Sequence, residues 1–403
     1  MQNLYMKNIC LSLFLLVFLL MSPACVQKGG SVKTADGDTI KIGVYGDLTG
    51  QTASFGQSTK NGVQLAVDEI NAAGGVGGKR IEAIYEDDQG RPEQAKTVAS
   101  KLVSQDKVHA LIGEATSSNS LAAAPVAQEA KIPMVSHAST NEQVTAVGDY
   151  IFRVCFIDSF QGSVMAKFAA NSLKAKTAAV IGDVNSAYSK GLTEVFENEF
   201  SKLGGKVITK QSYTQQDPDF KGQLTIIRAL NPDVIYIPGY YGQVGIIARQ
   251  ARELGMTQPL LGGDGWDSPE LWKLGGNALK NSFISNHYSV DNPAPEVQNF
   301  VKLYKAKYGA EPDSMAVLAY DAVKLLADAF RRAGATDGAK LRDALAATKD
   351  FAGVTGKITI NEKRDAVKLA VVSELDPAKS GYTYKDTIYP EGMTPTSAPS
   401  NTK

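Results

Sequence analysis

From Ile40 onward the chain alternates, almost without interruption, between short apolar runs and amphipathic stretches bounded by Gly, Pro and Asn. The apolar runs read as buried strands and the stretches with a 3.6-residue repeat as helices. Strands are expected at 40–45, 80–87, 108–113, 132–136, 150–156, 177–182, 206–213, 234–238, 260–262 and 282–287. Helices are expected between them at 57–73, 92–105, 188–203, 220–230 and 243–254, with an Ala-rich helix after Thr116, Ser117 and Ser118. Repeated βα units imply right-handed crossovers and parallel sheets. One run ends at Phe156 and a second begins at Ser159, so two similar lobes are expected. Three later helices, at 295–308, 314–333 and 339–347, need a sheet to pack on, which fits a return to the first lobe. Strands at 357–360 and 367–372 would close the fold. The expected class is α/β, with two Rossmann-like lobes whose parallel central sheets are joined by a hinge of crossing segments. The boundaries follow: 39–156 with 287–350 for the first lobe, 157–286 with 351–381 for the second. The stretch 382–403, rich in Thr, Pro and Ser, is expected to be a disordered tail.

In a parallel sheet, ligands sit in the crevice outside the carboxyl ends of strands. Two neighbouring expected strands end in hydroxyl-bearing turns, one at Thr116, Ser117 and Ser118 and one at Ala138, Ser139 and Thr140. These turns would aim donors at one place. Ser117, at the start of a helix, adds unpaired backbone N–H groups and the positive end of the helix dipole, a seat for an anion. A helix-capping role for Ser117 and ordinary turn chemistry for Thr140 are the competing readings, and Thr116 or Ser118 could take the place of Ser117. Glu114 and His137 are expected at the rim of the site or behind it, and Cys155 as a buried thiol near the crossing between lobes.

The first residues read as an export signal, with Lys7 as the basic region and 9–21 as the apolar one. That run is too short to span a bilayer comfortably, and no later stretch reaches roughly 20 apolar residues. Ser22, Pro23 and Ala24 precede Cys25 in the manner of a bacterial lipobox, with Ser22 where Leu is usual. Cleavage before Cys25 (signal peptide 1–24) would leave it as a lipidated N-terminus anchored to the membrane; ordinary cleavage after Ala24 would leave a free thiol. Either way the mature chain would lie outside the cytoplasm, in the periplasm or on the outer face of the cell membrane, with 25–38 as a flexible tether.

Formal net charge is zero, from 42 basic and 42 acidic residues, which argues against a nucleic-acid partner. The three His and three Cys are scattered, so neither a metal site nor a disulfide framework is expected. Enzyme readings find little support. The run from Gly74 to Lys79 hints at a phosphate loop, but Arg80 stands where Ser or Thr is required and the run follows a helix. Neither GxGxxG nor GxSxG appears, Asp87 and Asp88 fit a solvated loop, and no His is placed beside a nucleophile. No cofactor is expected.

Beyond these readings, the order GDLTGQTASFGQSTKNGVQLAVDEINAAGGVGGKRIE, DD, LIGEATSSNS and IPMVSHAST resembles type I periplasmic binding proteins. It is most similar to the leucine/isoleucine/valine-binding branch that feeds ABC importers, over about 40–375. The resemblance implies that Ser117 and Thr140 hold a ligand carboxylate and that the Ala138 carbonyl accepts from its α-ammonium. It implies that Asp264, in LLGGDGWD, pairs with that ammonium, where the branched-chain prototype has Glu. Tyr188 in NSAYSKG and Tyr240 in IPGYYGQ match aromatic contacts from the second lobe, with Tyr241 competing for the second of these. Phe55 in TASFG matches the ring that closes over the ligand, and Met315 a side-chain-pocket position. Thr116 occupies one place where some relatives carry a disulfide cysteine. The function implied is amino-acid capture with domain closure, in a monomer that partners an ABC permease; the alternative is a sensory protein delivering an amino acid or amide signal to a receptor.

Overall fold

The computed structural model describes residues 39–390; the signal region, the tether with Cys25, and 391–403 lie outside the described residues. Among the described residues, the first run is β1 (Thr39–Gly46), α1 (Ala53–Ala72), β2 (Arg80–Asp87), α2 (Pro92–Ser104), β3 (Ala110–Gly113), α3 (Ser117–Ala130), β4 (Met134–Ser136), α4 (Gln143–Ala146) and β5 (Ile151–Arg153). The second is α5 (Asp158–Lys167), β6 (Thr177–Asp183), α6 (Ala187–Lys202), β7 (Lys206–Tyr213), α7 (Lys221–Leu230), β8 (Val234–Tyr236), α8 (Tyr241–Glu253), β9 (Leu260–Gly262), α9 (Pro269–Gly275) and β10 (Ser282–Asn286). Then follow α10 (Pro295–Tyr308), α11 (Ser314–Ala333), α12 (Gly338–Ala346), β11 (Phe351–Gly353), β12 (Gly356–Ile360), β13 (Ala366–Val367), β14 (Ala370–Asp376) and β15 (Gly381–Ile388).

Local chemistry sets many of these ends. Pro92 and Pro295 open α2 and α10, where a missing N–H costs nothing. Gly309 and Gly334 close α10 and α11 in the left-handed conformation. The first sheet has the order β2-β1-β3-β4-β5 and is parallel throughout. Its central strands β3 and β4 are buried on both faces, which is why they read as unbroken apolar runs. The second sheet has the order β15-β14-β10-β9-β8-β6-β7, parallel from β7 to β10 and antiparallel at β14 and β15. In each sheet chain order reverses beside the first strand of the run, between β1 and β3 and between β6 and β8. These are the switch points at which α/β sheets open a crevice.

α11 packs along α1 on the first lobe. At their crossing a methyl on Gly62 would come within 2.0 Å of the Ala316 carbonyl oxygen, so only glycine allows the approach. Two expectations need correction. Residues 351–367 do not join the second lobe: β11, β12 and β13 form a small antiparallel sheet beside α11, whose Asp321 accepts from the N–H groups of Val354 (2.8 Å) and Thr355 (2.9 Å). Nor does disorder begin at Tyr382, because β15 pairs with β14 at the sheet edge. Half of its residues are exposed and none is buried, so its sequence carries the polar signature of a tail although its backbone is tied down.

Where the chain passes between lobes, buried charges are paired. Arg153 is fully buried, with Nε 2.7 Å from Asp365 Oδ1, and its remaining donors reach Ser139 O (2.7 Å), Asn141 O (2.8 Å) and Thr145 Oγ1 (3.0 Å). This fork fixes the turn that carries Thr140. Among the described residues no helix is long and apolar enough to cross a membrane.

Candidate functional site

The residues singled out in the sequence stand at the carboxyl ends of strands beside the two switch points. Phe55 follows β1, Ser117 follows β3, and Ala138 and Thr140 follow β4; Tyr188 follows β6, Tyr240 follows β8 and Asp264 follows β9. Ser117 is the first helical residue of α3, after Thr116 as cap residue, so the N–H groups of the first turn have no helical carbonyl to meet. Its hydroxyl accepts from Asn141 N at 3.3 Å. Thr140 Oγ1 is buried without a hydrogen-bond partner in the protein. The Thr140 hydroxyl lies beside the Asp158 carboxyl of the second lobe.

Carboxyl and imidazole groups brace these turns from behind. Glu114 accepts from the backbone N–H and the hydroxyl of Thr116 and from Asp47 N (3.3 Å). Burial, then the neighbouring Asp88, pushes the Glu114 carboxyl well above the usual carboxylate range. His137 bridges Gly113 O (2.7 Å) and Thr59 Oγ1 (2.8 Å), and burial lowers its pKa to about 4, leaving a neutral ring as a strut. Ser139 departs from expectation. Its hydroxyl lies 2.9 Å from Glu114 O and 2.8 Å from Ser120 Oγ, so it faces into its own lobe and supports the turn instead of meeting a ligand. Cys155, its thiol pushed up to about 12 by burial, donates to Ser139 O at 3.3 Å. Met315 is buried in the hydrophobic core.

On the second lobe, Asp264 is buried and its two oxygens are already engaged. Tyr188 donates its hydroxyl proton to Oδ1 (2.9 Å) and His287 Nε2 lies 2.9 Å from Oδ2. Gly265 N donates to the Tyr188 hydroxyl (3.1 Å), and Gln161 Oε1 accepts from Asp264 N (2.9 Å) and Ser285 Oγ (2.9 Å). His287 stacks on Phe156 with 3.7 Å between centroids, and burial holds its pKa below the usual value, so it is a neutral donor. Tyr188 and Tyr240 lie nearly parallel, 5.2 Å apart and 12° between planes. Phe55 meets Tyr240 edge-on at 5.9 Å and Tyr241 at 4.9 Å. Tyr241 also donates to Gln51 O (3.1 Å) and accepts from Ser54 N (3.3 Å), which makes it a latch between lobes. Further latches are Ser54 Oγ to Ser268 Oγ (2.8 Å), Ala187 N to Ser118 Oγ (3.1 Å) and Asn141 Nδ2 to Ala187 O (3.0 Å). Donor-bearing turns of one lobe thus face an acid and stacked phenols of the other across a latched seam. A surface concavity of about 950 Å³ lies elsewhere, between α1, α10 and α11, and its Glu69 and Lys324 already pair at 3.2 Å.

Sequence reasoning missed four polar residues at this seam. Gln161, Tyr236 and His287 each carry a buried polar atom without a hydrogen-bond partner in the protein, and the buried Asp158 carboxyl lies beside the Thr140 hydroxyl. Asp158 and Gln161 stand three apart in VCFIDSFQG, which reads as an ordinary helix start. His287 lies at the end of a strand, with nothing nearby in sequence to mark its partner.

This architecture has close counterparts. An amino acid binding protein of Pseudomonas aeruginosa is 37% identical over 303 residues, 75% of this chain and 80% of that protein. The crystal structure of a leucine binding protein from Thermotoga maritima is 40% identical, with a TM-score of 0.84, covering 88% of this chain and all of that one. The branched-chain amino acid transporter substrate binding protein of Streptococcus pneumoniae, solved in complex with isoleucine, is 35% identical, with a TM-score of 0.81 over 87% of this chain and 98% of that one. The sequence profile described as periplasmic binding protein matches residues 39–379. The chain belongs to the periplasmic binding protein family, whose members capture ligands and catalyse no reaction.

Proposed function

We propose that this protein captures an amino acid with an aliphatic side chain, of the branched-chain class, between its lobes and delivers it to the permease of an ABC importer. The reading is carried by the opposition of Ser117 and Thr140 on one lobe to Asp264 and Tyr188 on the other. A zwitterion presents an anion and a cation a few bonds apart, so it needs donors on one wall and a carboxylate on the other. Only the closed seam satisfies both ends, and binding shifts the population towards closure. Charge-assisted hydrogen bonds strengthen as water is excluded. Phe55 and Tyr240 would supply an apolar wall for the side chain. The leucine binding protein of Thermotoga maritima and the isoleucine complex of the Streptococcus pneumoniae protein agree with that wall.

Isothermal titration against the common amino acids tests the reading. Leucine, isoleucine and valine are expected to bind more tightly than charged or amide side chains and than aromatic carboxylates. A protein that ignores all aliphatic amino acids would end it. The proposal extends to a lipid anchor on Cys25: fatty-acid labelling in the native host is expected to mark the parent and to vanish in Cys25→Ser. An unlabelled parent would leave the mature chain without this anchor.

A further inference from the structure

Two carboxyls, one from each lobe, meet at the first turn of α11. Asp313 is the cap residue of that helix, in the first lobe, and accepts from Ala316 N at 2.9 Å. Asp267, in the turn after β9 of the second lobe, reaches across and accepts from Ser314 N at 2.8 Å. Asp267 is buried and Asp313 half-buried. Two acids thus draw on one helix N-terminus. Its dipole is equivalent to roughly half a positive charge, which offsets one carboxylate in part and cannot neutralise two.

The other donors to the pair are neutral. Asn286 Nδ2 (2.8 Å) and the Tyr382 hydroxyl (2.9 Å) donate to Asp267, and the Ser58 hydroxyl of α1 donates to Asp313. Tyr241 of α8, Tyr288 after β10, Tyr304 of α10 and Tyr382 of β15 face the pair, and burial pushes each phenol above its ordinary value, so none is ionised. His287, which also senses Asp267, is held neutral by burial. The charges on α9 and ahead of α11 are matched already, Glu270 by Lys273 and Glu311 by Lys305. Burial first, then Asp267, pushes the Asp313 carboxyl up to about 7. The Ser58 hydroxyl can turn from donor to acceptor and receive the hydrogen of the protonated acid. With the lobes apart, each acid would face water and hold no proton at neutral pH.

We infer that this pair is a proton-dependent catch: closing the lobes on a ligand brings Asp267 against Asp313 and draws one proton from solvent, so capture tightens as the solution turns from mildly alkaline to mildly acidic. This rests on the reading that an amino acid closes the lobes. The balance is one proton passing from buffer to the pair, where an O–H bond forms on Asp313 and no other bond changes. The sign follows from linkage. A group that binds its proton more tightly in the closed form favours closure below its closed-form pKa, and that contribution fades as pH rises through it.

The test is titration of the full-length protein with L-isoleucine at several pH values between 6 and 8.5, each in buffers of different ionisation enthalpy. Asp313→Asn keeps a capping side chain on α11 and carries no charge. At pH 6 the parent is expected to take up roughly one proton more than this variant on binding, and near pH 8.5 the two counts should converge. The affinity of the parent relative to the variant is expected to rise about tenfold from pH 8.5 to pH 6. Asp158 and Glu114, whose carboxyls are also raised by burial, are present in both proteins and cancel in the difference. Asp313→Ser, a second uncharged cap, takes the place of the asparagine variant if that one fails to fold. Equal proton counts at pH 6 overturn the inference and leave the amino-acid reading standing. A parent that binds none of the common amino acids overturns both.

Discussion

Asp264→Asn is expected to weaken binding of an aliphatic amino acid by about 2–5 kcal/mol, roughly 30-fold to several thousand-fold in Kd. The carboxylate is desolvated in the seam, so an ion pair there is not diluted by water. The asparagine keeps the shape but removes the charge, and it sets an amide N–H against one of the two donors now facing Asp264. His287 can adapt: its Nδ1 is unpartnered, so its proton can move there and leave Nε2 as an acceptor for the new amide. The fold should therefore survive, and the loss should appear in the isotherm and not in the melting curve. Selectivity offers a second readout. The parent should prefer leucine strongly over its 2-oxo analogue, which lacks the ammonium, and the variant should lose most of that preference. An isotherm equal to the parent's would take Asp264 out of the site.

Replacing Ser117 and Thr140 together by alanine is expected to remove detectable binding of amino acids at millimolar ligand. Each hydroxyl offered to a carboxylate is worth about 1.5–3 kcal/mol as a hydrogen bond to a charged group, and the two act on the same end of the ligand. Both changes should reach the fold. Thr140 Oγ1 is buried beside the Asp158 carboxyl, so its loss takes away the hydroxyl nearest to that carboxyl and should cost some stability as well. Ser117 Oγ accepts from Asn141 N at 3.3 Å, so its loss should cost about 1 kcal/mol of stability and a few degrees of melting temperature. Single variants separate the two terms. Retained affinity in the double variant would mean that the carboxylate is gripped elsewhere, whatever the melting curve shows. A Ser139→Ala variant provides contrast: its hydroxyl braces Glu114 O and Ser120, so its effect should fall on stability.

Much of the molecule was legible in the chain because the signals are local. Arg80–Asp87, Lys206–Tyr213, Leu260–Gly262, Pro295–Tyr308 and Ser314–Ala333 are found with the ends that periodicity and terminal residues prescribe. The same pattern fixed which turns lie at strand ends and so singled out those of Ser117 and Thr140, while Phe55, Tyr188, Tyr240 and Asp264 came from the resemblance to the leucine/isoleucine/valine-binding branch; all six follow strands of one sheet or the other. Direction within a turn was harder to read. Ser139 and Thr140 are neighbours with like hydroxyls, yet one braces its own lobe and the other has no partner in it. Tyr240 and Tyr241 divide similarly into a stacking ring and a latch.

What the sequence determined by itself is the alternation of strand and helix, the two-lobed α/β class and the set of turns at the strand ends, because each depends on residues within a few positions of one another. What only the tertiary structure decided is which polar groups are left without a partner once the lobes meet. Asp158 and Asp264 stand 106 positions apart with the same side chain, and one is supplied with two donors, from Tyr188 and His287, while the other is buried beside a single hydroxyl, that of Thr140. The same holds for Gly381–Ile388, whose polar surface says tail and whose backbone finds a free strand edge. A hydrogen-bond partner is a matter of distance in space, and local pattern carries no record of it.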